Sequence, residues 1–312
     1  MTRPASEAPT PKPLLSIVVT IVEGGLTLRR LLEAIQRQEA APLTEVLVAF
    51  DASIADVGLL AVDFPGVRFL PMGEVATHRS PDHPAGQHEL FDRRRAFALK
   101  AAGGALVAIL EDRAPPRPDW AARMVRLHDD PFSVIGGAIE SAAADALGWA
   151  LYVCDFDRYG LPFESGPREW ISDVNICYKR SALEATRHLW TDRYHEPAVH
   201  WALAAAGETL YLSNEPVVDH RRSPQGIWNA VRERFAWGRL FGYIRAKQMS
   251  PLRRLALTLL GPVIPLRLLV RYARTQRRRG EGARFLRTAP LIGLLLIAWS
   301  AGEVGGYLTR RP

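Results

Sequence analysis

Acidic residues stand at the carboxyl ends of two apolar runs in this chain. Asp51 follows Glu45 to Phe50, and Glu111-Asp112 follow Ala105 to Leu110. A third run ends at Val217-Val218 and delivers Asp219-His220 to the next loop, while Arg93-Arg94-Arg95 lie within a helical stretch around Leu90 to Ala102. Carboxylates at strand ends accept hydrogen bonds from the N–H and hydroxyl groups of a ligand, and guanidinium groups hold anions through charge-assisted bonds. Chemistry is expected beyond those strand ends. Cys154 and Cys177 lack CxxC spacing and are too few for a disulfide framework. They read as two buried thiols in a reducing compartment, and structural zinc is excluded.

The elements that carry these groups alternate. The first apolar run, Leu14 to Val22, meets Gly24-Gly25 and then Leu28, Leu31, Leu32 and Ile35 at helical spacing, with Thr27 as a candidate N-cap. Strands follow at Glu45 to Phe50, Val67 to Leu70 and Ala105 to Leu110, the last continuously apolar like a parallel strand covered on both faces. Further on, a helix from Asp119 as N-cap, a strand over Val134 to Ile139, a strand over Val174 to Tyr178, and a helix over Glu196 to Ala206 are expected. Ser223-Pro224 has the N-cap and N1-proline form that opens a long helix with Ile227, Trp228, Val231 and Phe235 on its apolar face. The fold class is α/β, with a mainly parallel sheet flanked by helices.

With 48% apolar residues over 312, the chain is neither disordered nor fibrous. Its +7 charge is unevenly placed. Residues 245–312 hold thirteen arginines and Lys247 against Glu281 and Glu303, so the first 244 residues are five charges negative. An acidic body argues against nucleic acid as a partner, and a basic tail beside apolar runs points to membrane lipid. Leu255 to Leu266, broken by Gly261-Pro262 and Pro265, reads as an interfacial or re-entrant piece. Thr288 to Gly302, fifteen uncharged residues, extends to Leu308 if Glu303 is tolerated and then reads as a marginal spanning helix with Trp299 and Tyr307 at its interfaces, the alternative being two amphipathic helices packed on the body. The arginines between the pieces place that segment on the cytoplasmic side. The expected division is a disordered arm over 1–13, a ligand-binding half over 14–115, a second half over 116–245 and a membrane-associated helical tail over 246–312.

Read in order, SIVVTIVEGGLTLRRLLEAIQ, EVLVAFDAS, RRRAFALKAAGGALVAILEDRAPPRPDW, NICYKRSAL, YHEPAVHWALAAAG and VVDH resemble the family-2 glycosyltransferases of the GT-A, Rossmann-like fold. The resemblance covers residues 14–245, and the tail with AWSAGEVGGYL is similar to the membrane-attached C-terminus of a bacterial branch. It implies an inverting transfer of a sugar from a nucleotide-sugar donor to a lipid-linked or polysaccharide acceptor of the cell envelope, at the cytoplasmic face of the inner membrane. Asp51 then contacts the nucleotide base, unless it caps an Asx-turn with Ser53 and Asp56. Glu23, Arg95 and Glu111-Asp112-Arg113 fall on the donor side, the last where the family has Asp-x-Asp holding a divalent cation, Mg²⁺ or Mn²⁺. Here Arg113 replaces the second Asp. Either Asp112 anchors the metal with help from His220, or Arg113 supplies the positive charge itself, or it forms a loop ion pair. Arg95 matches the family's arginine and Ala96 replaces its asparagine. Glu196 matches the general base, with Pro197 where a second acid often stands. Asp173 and Asn175 fall where the donor sugar or acceptor is lined, and Trp170 either stacks on a sugar or joins the core. A different reading is a degenerate relative that binds a nucleotide sugar or a partner at the membrane without transfer.

Overall fold

The computed structural model describes residues 12–222 and 226–311. Eight strands form one sheet: β1 (Leu15–Thr20), β2 (Thr44–Phe50), β3 (Val67–Pro71), β4 (Leu106–Glu111), β5 (Val134–Ser141), β6 (Gly166–Pro167), β7 (Asn175–Lys179) and β8 (Leu210–His220). Their order is β3-β2-β1-β4-β7-β5-β8-β6. The first four are mutually parallel, as are β5 and β8, while β7 runs antiparallel between β4 and β5 and β6 is antiparallel to β8. Every residue of β1, LSIVVT, is buried, as a central strand covered on both faces must be.

The helices are α1 (Gly25–Gln36), α2 (Pro84–Ala101), α3 (Trp120–Leu127), α4 (Ala146–Phe156), α5 (Arg180–Ala185), α6 (Arg187–Trp190), α7 (Glu196–Ala205), α8 (Ile227–Ala246), α9 (Pro251–Leu260), α10 (Ile264–Arg278) and α11 (Gly282–Thr309). The apolar stripe of α1 is the one its spacing predicts: Leu28, Leu31, Leu32 and Ile35 are buried. Its start differs. Gly24, at φ 70°, is the N-cap, and the Thr27 hydroxyl donates to the Glu23 carboxylate instead of capping. Gly24 and Gly25, at φ 50°, both take a left-handed backbone that side chains disfavour, and this turns the chain sharply from strand to helix. Asp119 stands at the N-cap of α3 without a capping bond and pairs with Arg123 at 2.6 Å. The expected helix start at Ser223-Pro224, and the arm up to residue 11, lie outside the described residues.

The C-terminal helices are built into the body. Gly238 and Gly242 of α8 face Gly302 and Gly306 of α11 so closely that a Cβ on Gly302 would lie 2.0 Å from the Phe235 carbonyl, and one on Gly242 2.3 Å from that of Glu303. Both helices thus present glycines four apart, and their backbones touch. Ile292, Leu295 and Leu296 of α11 complete the core that contains β1 and α4. Among the described residues α11 is the one helix long and apolar enough to cross a membrane, and half of its most apolar stretch is buried within the molecule. The α9 and α10 helices meet at a 68° bend, leaving Leu252, Leu255, Leu259, Leu260, Val263 and Leu266 exposed.

Candidate active site

Register gathers the site. Thr20 lies opposite Glu111, and Ser141 opposite His220, so the parallel strands end along one edge of the sheet. Because β7 runs the other way, with Asn175 opposite Leu110, the residues that precede it arrive where β4 ends. A cavity of about 530 Å³ opens there, lined at its polar end by Arg95, Glu111, Arg113, Asp173, Glu196 and His220.

Arg95 is the hub of this end. It reaches Asp173 at 2.6 Å, Glu111 at 3.3 Å and Asp92 at 3.5 Å, and its Nε donates to the Thr20 hydroxyl at 2.8 Å. Behind it, His88 and His195 stand 3.2 and 3.0 Å from Asp92. Burial would raise the Asp92 carboxyl, but the two imidazoles hold it far below the ordinary carboxylate range. Burial acts on Glu111 in the same direction, and there the adjoining His220 and the guanidinium of Arg95 overcome it, leaving Glu111 at about 2.

Glu196 is different. As the first residue of α7, it accepts a hydrogen bond from the Asp173 backbone N–H at 3.0 Å, and His200, one turn on, lies 3.7 Å from its other oxygen. Burial and the nearby Asp173 carboxylate push Glu196 well above the usual range. His200 gives no compensating charge, because burial drives it down to about 3 and its Nε2 bonds the Tyr178 hydroxyl at 2.8 Å. Asp173 is also raised by burial, with Arg95 opposing. The edge therefore presents one carboxylate that stays ionised, Glu111, and one that readily accepts a proton, Glu196.

Several expected residues lie elsewhere. Asp51 is buried, accepts from the Ser53 N–H and from Arg94 Nε at 2.6 Å, and does not line the cavity. The Asx-turn is thus the arrangement observed. Of the three arginines, Arg94 serves Asp51, Arg93 pairs with Glu89 and Asp192, and Arg95 faces the cavity. Asp112 is completely buried, its Oδ2 taking the backbone N–H groups of Glu23 and Gly24 at 2.9 and 2.7 Å. Burial raises this carboxyl to about 6, so Asp112 holds the glycine turn while Glu111 and Arg113 on either side face the cavity. Arg113 pairs with Glu23 at 2.8 Å. Asn175 spends its amide in the core on Trp120 Nε1 and the carbonyls of Ala138 and Pro216, and does not line the cavity. Trp170 does line the cavity, edge-on to Trp201. His88, Asp92, Asp155, His195, Arg234 and Trp237, to which the sequence assigns no role, also line the cavity. The spacing of Asp92 and His88, three and seven residues before Arg95 on one helix, was the available signal.

No protein-family model matches the chain, and no curated protein sequence matches it. Among solved structures it is similar to mannosyltransferase PcManGT from Pyrobaculum calidifontis in complex with GDP-Man and Mn²⁺. The TM-score is 0.56 with 16% sequence identity, over 95% of this chain and 88% of that one. The fold is a glycosyltransferase fold. Within such a fold, the residues present can be tested against a divalent cation. Among the described residues no group of three or more His, Cys, Asp or Glu side chains is arranged so that it could hold a metal ion by itself. Glu111 and His220, 3.8 Å apart, are two donors that do converge on the cavity, and burial keeps His220 in the neutral form that can ligate. Two protein ligands suit a hard cation that takes its other oxygens from phosphate and water, so the pair fits a cation bound together with a diphosphate.

Proposed function

We propose that this protein is an inverting glycosyltransferase that moves a sugar from a nucleotide-sugar donor to a lipid-linked or polysaccharide acceptor at the cytoplasmic face of the membrane. The observation that carries this is the convergence of Glu196, Asp173, Arg95, Glu111 and His220 at the carboxyl edge of the sheet in a glycosyltransferase fold. The nucleotide lies over the ends of β1 and β4, where the glycine turn held by Asp112 leaves room. Its diphosphate lies against Arg95 and Arg113, which stabilise the negative charge that develops as the bond to the sugar breaks. Glu111 and His220 would hold a divalent cation, which when bound supplies further charge neutralisation to the leaving diphosphate. Glu196 takes the proton from the acceptor oxygen on the opposite side of the sugar. Its surroundings suit that task, since burial and Asp173 make it a stronger base than an exposed carboxylate. Trp170 offers an aromatic face in the same cavity. The arginine-flanked apolar corner of α9 and α10 rests on anionic lipid.

A second reading is favoured by the fate of Asp112 and Arg113: with one buried in a backbone-holding role and the other a cation, the chain binds nucleotide sugar without transferring it. The two separate on one experiment. The detergent-solubilised protein is given UDP-, GDP- and dTDP-sugars with membrane extract, with and without Mn²⁺. Release of one nucleotide, lost in Glu196→Gln, is expected; tight binding without release under every condition overturns the catalytic reading.

A further inference from the structure

Glu196 is anchored to α2 from two sides. Asp92, almost wholly buried, contacts both residues that lead into α7: its backbone carbonyl accepts from the Tyr194 N–H at 3.1 Å, and its carboxylate stands 3.0 Å from His195 Nδ1. His195 occupies the N-cap position of α7 with an extended backbone, yet its side chain caps nothing and is turned to Asp92 instead. Glu196 is the next residue. On the other side the Glu196 carboxylate accepts from the Asp173 N–H at 3.0 Å, and the Asp173 carboxylate is held by Arg95 at 2.6 Å. Asp92 and Arg95 stand three residues apart on α2, hence on one face of it, and lie 3.5 Å from each other. The contacts close into a ring, from Asp92 through His195 and Glu196 to Asp173, Arg95 and back.

Packing alone does not call for such a ring. A carboxylate buried between imidazoles and a guanidinium gives up its water, and apolar side chains of the same size commonly fill such a space more stably. Apolar contacts are non-directional, however, and cannot set an orientation. Tyr194 is pinned by its own burial and by its hydroxyl, 2.5 Å from that of Tyr178. The contact between Asp92 and His195 then sets how the chain turns into α7. A base misplaced by about 1 Å loses about 10²-fold in rate, so that turn matters to the chemistry.

We propose that Asp92 and His195 position Glu196 for proton transfer, the buried carboxylate fixing the imidazole and with it the first turn of α7. Both are positioning residues that act through Glu196. The chemistry rests on the glycosyl-transfer reading, whereas the coupling around the ring can be measured without turnover.

The test uses the full chain in non-ionic detergent and two readouts. One is nucleotide release from UDP-, GDP- and dTDP-sugars with membrane extract as acceptor, and the other is hydrogen exchange at the Asp173 N–H, followed by NMR without substrate. In His195→Leu, Asp92 keeps His88 and Arg95, so no buried charge is left unpaired. This variant should lower kcat by about 10–100-fold with the donor KM within about two-fold of the parent. It should speed exchange at Asp173 by about ten-fold or more, because Glu196 leaves its seat. The groups that face Glu196 are Asp173, Arg95 and His200, with the hydroxyls of Tyr159, Tyr178 and Tyr194 nearby, and none of them is altered. Moved away from Asp173, the Glu196 carboxyl falls toward its ordinary range, so the acid limb of the pH–rate profile should shift to lower pH. His195→Asn keeps a donor where Nδ1 stands and should remain within about three-fold of the parent in both readouts. Unchanged exchange at Asp173 in H195L overturns the proposal whatever the turnover. Full turnover in H195L, or a loss confined to the donor KM, overturns the positioning role. H195N as impaired as H195L overturns the part given to Asp92. No nucleotide release by the parent, with exchange coupled as expected, overturns the glycosyl-transfer reading and leaves the ring standing.

Discussion

Replacing Glu196 by Gln should make the protein inactive and more stable at once. The amide keeps the shape of the side chain, and its oxygen can still accept the Asp173 N–H now bonded at 3.0 Å. It cannot take a proton, and loss of a general base costs about 10²–10⁴ in rate, or about 3–5 kcal/mol of barrier. The stability effect follows from linkage. Burial and the Asp173 charge raise the Glu196 carboxyl in the folded state, so the stability it contributes is present at low pH and is lost as pH rises through the folded value. Glutamine does not ionise and escapes that loss. E196Q should therefore gain about 0.5–2 kcal/mol over the parent near pH 8, a rise of a few degrees in Tm, with the gain vanishing near pH 5. Nucleotide release gives the rate, and thermal unfolding at the two pH values gives the stability. Turnover within ten-fold of the parent would refute the role of Glu196 as base. A stability difference that does not grow with pH would refute the claim that burial and Asp173 disfavour the charged form of Glu196 in the folded protein.

Three further outcomes follow from the same geometry. If Glu111 and not Asp112 faces the cation, E111Q should raise the Mn²⁺ concentration for half-maximal activity by about ten-fold or more, and D112N should change it little, as titration of activity against Mn²⁺ will show. Gly302→Val places a side chain 2.0 Å from the Phe235 carbonyl, so α8 and α11 must part; denaturant unfolding should show a loss of about 3 kcal/mol or more, whereas G293V, on a face with open space, should cost under about 1 kcal/mol. Sedimentation with vesicles should find binding to anionic but not neutral lipid, weakening as salt is raised, and L259D with L266D should reduce it by about ten-fold or more.

The central strands β1, β2 and β4 were readable because each is a largely apolar run, and the sheet class follows from their alternation with helical stripes, whereas β8, interrupted by Ser213-Asn214-Glu215, showed only its Val217-Val218 end and the two-residue β6 showed nothing. The antiparallel insertion of β7 was not, since NICYK is as apolar as a parallel strand and its direction is decided by pairing with β4, far away in sequence. The site was readable in part. Asp112 lies in the turn just past β4 and is drawn inward by the backbone N–H groups of Glu23 and Gly24, while Glu111 and Arg113 face the cavity, a distinction the resemblance alone did not draw. Asp51 and Asn175 had the right types at strand ends, but their partners, Arg94 and Trp120, come from other segments and turn both side chains to internal work. Arg234 and Trp237 carried no signal, because an arginine and a tryptophan within a long helix read as one solvated and one packed residue until Asp155 is brought to them.

The interlocked glycines of α8 and α11 bear on how the molecule is divided. Since α8 also walls the cavity and packs on the helix that carries Arg95, the last helix is a keystone for the chemistry and not an appendage that moors it. Cutting the chain before Gly282 would withdraw Ile292, Leu295 and Leu296 from the core and leave Gly238 and Gly242 facing water. A shortened, freely soluble version should therefore fail as a folded body. In this protein the last helix and the walls of the cavity therefore belong to one folded unit.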